Sequence, residues 1–418
     1  MHARIAHTAV ACCAAAIALG AAGCGAAPAP DSGPAGPASS AAVRPAGRPG
    51  PPGRALGWVL DTPPCMGDEV SVIDTATGRA LPPVRVGRGV DAIAAAPDGR
   101  TVYVSSGRPN TNGTVCTSVG PQQPANTVTP ISTATGRAGT PIHAGRYPGP
   151  IVIAPDSATF YVASLYRYSV VPVSAATGRP ARPIRLRQFV TAMAITPDGA
   201  TIYAAGSNSS GQDLVTPIST ATATADRPIR IPGYPSAMAI TPDGRTVYVV
   251  TGKGVTPIST ATDTAGRLIR VGPFPGQIVI APDGTTAYVT SSRGVTPIDI
   301  ATDRPERTVK VSTGPVAITP DGRTIFVAGF DAATRTSEVT AIDTATGRAG
   351  RPILVRYPRG VDLSGIGIAP DGRTAYLLNE IFEPGFSRGT VIPLRIASGR
   401  LGRPIGAGIG PSAIVFSP

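Results

Sequence analysis

The chain is poor in histidine, lysine and charge, and each shortage closes off a class of chemistry. Histidine occurs three times in 418 residues, and only His143 lies beyond the first 23 positions. A Ser-His-Asp relay would have to pass through that one imidazole, and no multi-histidine metal site can be assembled. His143 follows an outer-strand pattern, where an incidental role is the simpler reading. Charged residues make up 15% of the chain, and the only lysines are Lys253 and Lys310, so the formal net charge of +12 is almost wholly arginine. "TGKG" at 251–254 lacks the spacing and hydroxyl of a phosphate loop,. "GAGIGP" at 406–411 lacks the last glycine of a dinucleotide fingerprint,. No cofactor is implied.

What the chain has instead is turn residues and repetition. Glycine (50) and proline (46) approach a quarter of the residues, yet 42% are apolar. Many short strands joined by Gly/Pro turns satisfy both facts. The octapeptide "VTPISTAT" occurs at 128–135, 215–222 and 255–262, and "PDG" recurs from Pro97, Pro197, Pro242, Pro282, Pro320 and Pro370, with Ser157 replacing the glycine after Pro155. The spacing, mostly 38–50 residues with strand-type patterns throughout, predicts a β-propeller with one four-stranded blade per repeat,. Within 275–311, "PGQIVIAP" reads as the inner strand A and "TTAYVTS" as strand B. "GVTPIDIAT" then reads as strand C and "ERTVKVS" as the outer strand D. Proline presets φ in the "PDG" turn, aspartate bonds nearby backbone, and glycine accepts the left-handed position.

The motifs "PDGRTVYVSS" at 97–106 and "EVSVIDTATGR" at 69–79 resemble the YVTN-repeat propeller family, and the likeness covers 55–418. That resemblance implies the fold and says little of activity, since such a scaffold hosts binding proteins and lactonase-like enzymes alike. "LGWVLDT" at 56–62 reads as a strand B, and "GPSAIVFSP" at 410–418 as a strand A. The last strand is therefore expected to complete the N-terminal blade and close the ring. The count is eight blades, or seven if one copy is irregular. Six C strands carry a proline at one register, namely Pro130, Pro172, Pro217, Pro257, Pro297 and Pro393. Proline removes a ladder donor, so a shared, locally unpaired bulge is expected there.

Three segments follow from composition: a signal at 1–23, a tether at 24–54 and the propeller at 55–418. Residues 8–19 form an apolar run too short to span a membrane, followed by "GAAGC",. This resembles a bacterial lipoprotein signal, which implies that Cys24 is acylated and holds the chain on the outer face of a bacterial membrane. An ordinary secretory peptide is the other reading, and it would release the chain. Residues 25–54 contain no aromatic and one branched aliphatic, Val43. Such a linker reaches up to about 90 Å when extended. With Cys24 acylated, Cys65 and Cys116 remain as an even pair in an oxidising compartment, and both fall in B–C loops of adjacent blades,. A disulfide between them is expected.

Most of the candidate residues have a plain structural role. The seven "PDG" aspartates read as caps of their own turns. Arg85, Arg185, Arg230, Arg270 and Lys310 each sit between apolar residues of an outer strand. A charge there opposes edge-to-edge association. Spread around the rim, these cations form no stripe with stacking aromatics, so nucleic acid is an unlikely partner. The aromatic residues carry the strongest signal. Tyr147, Phe189, Tyr234 and Phe274 each stand eight residues before a "PDG" proline in consecutive blades, and Tyr357 lies in a longer loop of similar place. Tyr166, Arg167 and Tyr168 adjoin them. These rings either lid the core or form a stacking platform for an envelope protein, peptide or glycan. Glu380 and Glu383 are spaced too loosely to define a catalytic pair. A binding or scaffold module is therefore expected, with a lactonase-like hydrolase or lyase as the alternative.

Overall fold

The computed structural model describes residues 55–62, 68–107, 126–331, 334, 336–356, 361–383 and 386–417. The signal, the tether, Cys24, Cys65, Cys116 and Tyr357 lie outside the described residues, as do the side chains of Glu380 and Glu383.

Eight antiparallel sheets form a ring, so the expected eight-bladed propeller is what the chain adopts. Blade 1 contains Leu56–Asp61, Glu69–Asp74 and Arg79–Arg85 as strands B to D, and its strand A is the C-terminal Pro411–Ser417. The pairing runs from Leu56 opposite Ser417 to Leu60 opposite Ala413, which closes the ring as expected. Trp58, fully buried, donates its indole N–H to the Ser417 hydroxyl at 3.1 Å across this seam. Inner strands of successive blades adjoin around the circle, beginning at Val90–Ala95, Pro148–Ile153, Phe189–Ile195 and Pro235–Ile240.

Eight apolar clusters occupy the eight interfaces between blades. Trp58, Leu60 and Val70 meet Ile93 and Val104 between blades 1 and 2, and Val59 and Ile73 meet Tyr376 and Leu378 between blades 8 and 1. Each B strand is covered on both faces by its neighbours. It therefore reads as a continuous buried run after its first threonine, as in Thr246–Thr251 and Thr286–Ser291,.

The prolines of the C strands are not at bulges. Pro130, Pro172, Pro217, Pro257, Pro297 and Pro393 each pair in unbroken register with a B-strand tyrosine, Tyr103, Tyr161, Tyr203, Tyr248, Tyr288 and Tyr376 respectively. The irregularity is on the other side. In blade 4 the outer strand pairs with Ile218–Ser219 through Thr224–Ala225, then with Leu214–Val215 through Ile229–Arg230. It detours opposite Pro217, whose carbonyl accepts the Asp226 N–H at 2.9 Å. The missing proline donor thus faces a gap and leaves no acceptor orphaned. The D strand expected at 306–312 is likewise reduced, to Arg304–Pro305 and a single bridge between Val295 and Val309. Most register shifts fall on strand A instead, as between Val90 and Ala92, Val190 and Ala192, Pro235 and Ala237, and Leu363 and Gly365, with one in the C–D pairing of blade 1 between Val70 and Val72.

Those inner shifts present polar side chains that tie blades together. The Thr191 hydroxyl donates to the Pro235 carbonyl at 3.1 Å, Gln277 Oε1 accepts the Val316 N–H at 3.1 Å, and the Ser364 hydroxyl donates to the Pro411 carbonyl.

Candidate binding face

The meander of four strands puts A–B and C–D turns at one end of the ring, and B–C and D–A loops at the other. The turn end is internally satisfied. All seven "PDG" aspartates accept the backbone N–H two residues on, at 2.9–3.1 Å, as in Asp98 with Arg100 and Asp371 with Arg373. Hydroxyls of Thr196, Thr241 and Thr319 add bonds of 2.5–2.6 Å to Asp198, Asp243 and Asp321, which hold these carboxyls below the usual range. The carboxylate ring is structural, as its sequence pattern indicates.

The repeated tyrosine has a role here too. Tyr203 and Tyr248 cross to the next blade and donate to Asp263 at 2.7 Å and Asp303 at 2.6 Å. Burial, with the nearby carboxylates, pushes both phenols well above their ordinary pKa. Threonines after strand C (Thr133, Thr220, Thr260 and Thr344) donate to the turn-glycine carbonyls of Gly99, Gly199, Gly244 and Gly322 at 2.7–2.8 Å. "VTPISTAT" recurs because those three blades share the same C strand and the same latch.

The loop end differs. Among the described residues, all six exposed aromatic rings lie there: Tyr166, Tyr168, Phe189, Tyr234, Phe274 and Phe330. Phe274 is 84% exposed and Tyr234 56%. Phe189 opens strand A of blade 4, beside a fully buried Gln188 whose amide donates to the Ala204 carbonyl at 2.7 Å and accepts from Thr216 at 2.7 Å. Tyr147 is only half-buried and takes positive φ (51°), held by Asn126 Oδ1, which accepts its N–H at 2.8 Å. Its ring meets Tyr166 edge-on at 5.8 Å, and the Arg146 guanidinium sits 4.5 Å from the Tyr166 centroid,. Arg167 lies in the one helical turn among the described residues, Leu165–Arg167, which Tyr168 ends at φ 49°. His143 is exposed after the outer strand of blade 2.

Three loop-end residues escaped the sequence reading. Phe330 sits at the hairpin tip of blade 7, and Arg146 beside the tyrosine pair; an aromatic or cation in those loops was the available signal. Asp61 gave none, because burial is not written locally. Its side chain is 3% exposed, where strand B of blade 1 meets the loop preceding strand A. The Gly408 N–H donates to Ser71 Oγ at 2.9 Å, while the Ser71 hydroxyl and N–H donate to Asp61 Oδ2 at 2.7 and 3.1 Å. Oδ1 has no partner among the described residues. Burial, reinforced by Glu69, pushes this carboxyl up to about 7 against the opposing Ser71 and Gly408 bonds.

No protein-family model matches the chain, and no curated protein matches it. Among solved structures, dihydro-heme d1 dehydrogenase NirN in complex with DHE is similar over 86% of this chain and 74% of its own, at 16% identity and a TM-score of 0.69. A functionally unknown protein from Desulfotomaculum acetoxidans DSM 771 is similar over 71% of this chain and 94% of its own, at 16% identity and a TM-score of 0.53. Hydrazine synthase of Kuenenia stuttgartiensis shares 26% identity over 63% of this chain and 87% of its own, with a TM-score of only 0.49. The likeness to the first two concerns the propeller scaffold and no chemistry.

Proposed function

We propose that this protein is an exported, lipid-anchored propeller that serves the cell envelope as a binding or scaffold module through its loop end. One observation carries the reading: every exposed aromatic ring among the described residues lies on that end, spread over blades 3 to 7. Aromatic rings offer large contact area at low entropy cost, and clustered exposed apolar surface marks interaction sites. The lid reading of the arc loses ground, since a ring 84% exposed, as at Phe274, covers little core. The N-terminal resemblance to a lipoprotein signal, with Cys24 as the acylated residue, supports membrane anchoring, and the tether supplies reach. The YVTN-like repeat motifs fit the same scaffold role.

The experiment is capture from envelope extract by wild type and by a Tyr147/Phe189/Tyr234/Phe274→Ala variant of equal thermal stability. A partner or glycan lost only by the variant is the expected result; identical capture would sink the proposed role of the arc. Radiolabelled palmitate should enter the wild type and not Cys24→Ser, and label in neither would remove the anchor.

A further inference from the structure

The aromatic arc stops at blade 7. The position filled by Tyr147, Phe189, Tyr234 and Phe274 becomes Ser312, and there an open groove of about 750 Å³ runs between blades 6 and 7. It continues the arc directly, for the Ser292 N–H and hydroxyl both donate to the Pro273 carbonyl beside Phe274, at 2.9 and 3.0 Å. Arg293 and Lys310 line the blade 6 side, and Phe330, 48% exposed, lines the blade 7 side.

Glu338 also lines the groove, on strand C of blade 7 opposite Gly329 and Leu354. It is only 8% exposed. Among the described residues its carboxylate has no hydrogen-bond or ion-pair partner, and neither do the charged ends of Arg293 and Lys310. The residue is mostly covered, but its carboxylate opens into the groove, where solvent or the hydroxyls of a ligand can donate to it,. The wall beside it is fixed: a Cβ on Gly329 would stand 2.5 Å from the Ser312 carbonyl carbon, and one on Gly314 2.6 Å from the Ala328 oxygen. Loop and strand meet backbone to backbone, which preorganises the groove.

The donor set selects a chemistry. Arg293 and Lys310 are offset by Glu338 and Asp331, so the formal charges of the groove balance and favour neither an acidic nor a basic ligand. A hydroxyl is donor and acceptor at once, so two neighbouring hydroxyls can donate to Glu338 while accepting from the cations. The C–H face of a sugar ring packs on an aromatic such as Phe330.

We propose that this groove is a saccharide-binding site. It takes a neutral hexose unit of an oligosaccharide, with vicinal hydroxyls bridging Glu338 to Arg293 and Lys310 and the ring face on Phe330. This rests on the loop end being a binding end and names one ligand class for it.

The test is calorimetric titration of the propeller with maltotriose, cellotriose, mannotriose and galactotriose, alongside trigalacturonate and a Lys-Ala-Glu tripeptide. At least one neutral trisaccharide should bind, with affinity changing less than about twofold when salt is raised about tenfold. Glu338→Gln and Phe330→Ala should each weaken it about tenfold at unchanged Tm. Absence of neutral-sugar binding, preference for the acidic sugar or the tripeptide, or full affinity in Glu338→Gln would overturn the proposal. The two ideas fail separately. Envelope capture lost by the four-ring variant without sugar binding leaves the arc standing and removes the groove; sugar binding sensitive to Glu338 with capture unchanged does the reverse.

Discussion

The two ends of this ring are built from the same eight blades, yet they answer to different constraints. At the turn end the blades repeat one another closely: seven aspartates bond their own backbone, threonine latches the glycine carbonyl in four blades, and turn glycines pack on the previous blade. Gly244 stands at φ 72°, where a Cβ would lie 3.1 Å from Pro197 Cδ of blade 4, and Gly322 repeats this against Pro282. At the loop end the blades diverge. Tyrosine, phenylalanine, serine and glycine share one position, and loop lengths vary. Where every group is already partnered, sequence is held to a template; where the scaffold leaves side chains exposed or unpaired, it is free to differ, and that freedom is where binding can reside.

The comparison can be broken in order of expected effect. The largest concerns Asp61, the loop-end residue that behaves least like its neighbours. Its carboxyl titrates near 7 in the folded protein and near 4 when unfolded, so the folded state holds a proton that the unfolded state has lost,. Its contribution is therefore fully present below about pH 4 and declines as pH rises to about 7. Urea titrations of wild type and Asp61→Asn should diverge in slope across that window, the wild type losing up to about 4 kcal/mol relative to the variant. Parallel pH profiles would mean the carboxyl is hydrated.

Gly206→Ala should come next. A Cβ there would lie 1.7 Å from the Phe189 carbonyl oxygen, so strand A of blade 4 must shift, at about 3 kcal/mol by denaturant titration,. A loss under about 1 kcal/mol would show that the inner strand yields freely. At the turn end, Gly244→Ala should lose about 1–2 kcal/mol from positive φ and its contact with Pro197, and Tyr248→Phe about 1 kcal/mol from the lost bond to Asp303,. Equal cost for Tyr288→Phe, whose hydroxyl has no such aspartate bond, would remove that bond as the cause. The smallest effect belongs to the arc: Phe274→Ala should change stability by no more than about 0.5 kcal/mol, because its ring is 84% exposed,. A larger drop in Tm would make the ring part of the core after all.

Much of this was legible in the chain. The seven "PDG"-type turns gave the repeat, and the strand-A pattern at 411–417 together with the strand-B pattern at 56–61 gave the eighth blade and the closure, which the pairing of these two strands makes. The aromatic positions were legible as a register. Their exposure was not, since Tyr147 and Phe274 hold the same place in their repeats but differ in what the neighbouring loop lays over them. The C-strand prolines were legible as an irregularity and misplaced, because a gap in strand D leaves no trace in strand C beyond the tolerated proline.

By itself the sequence determined what is periodic: strands, turns, the identity of their caps, and the closed ring, all set by local geometry repeated at fixed spacing. The tertiary structure decided what is not periodic. Only the packing of blade against blade buries Asp61 beneath Gly408 and, among the described residues, leaves Glu338 without a protein donor beside Ser312 and gathers six exposed rings on one end. Burial and partnership are properties of several distant segments at once, and no single repeat contains them.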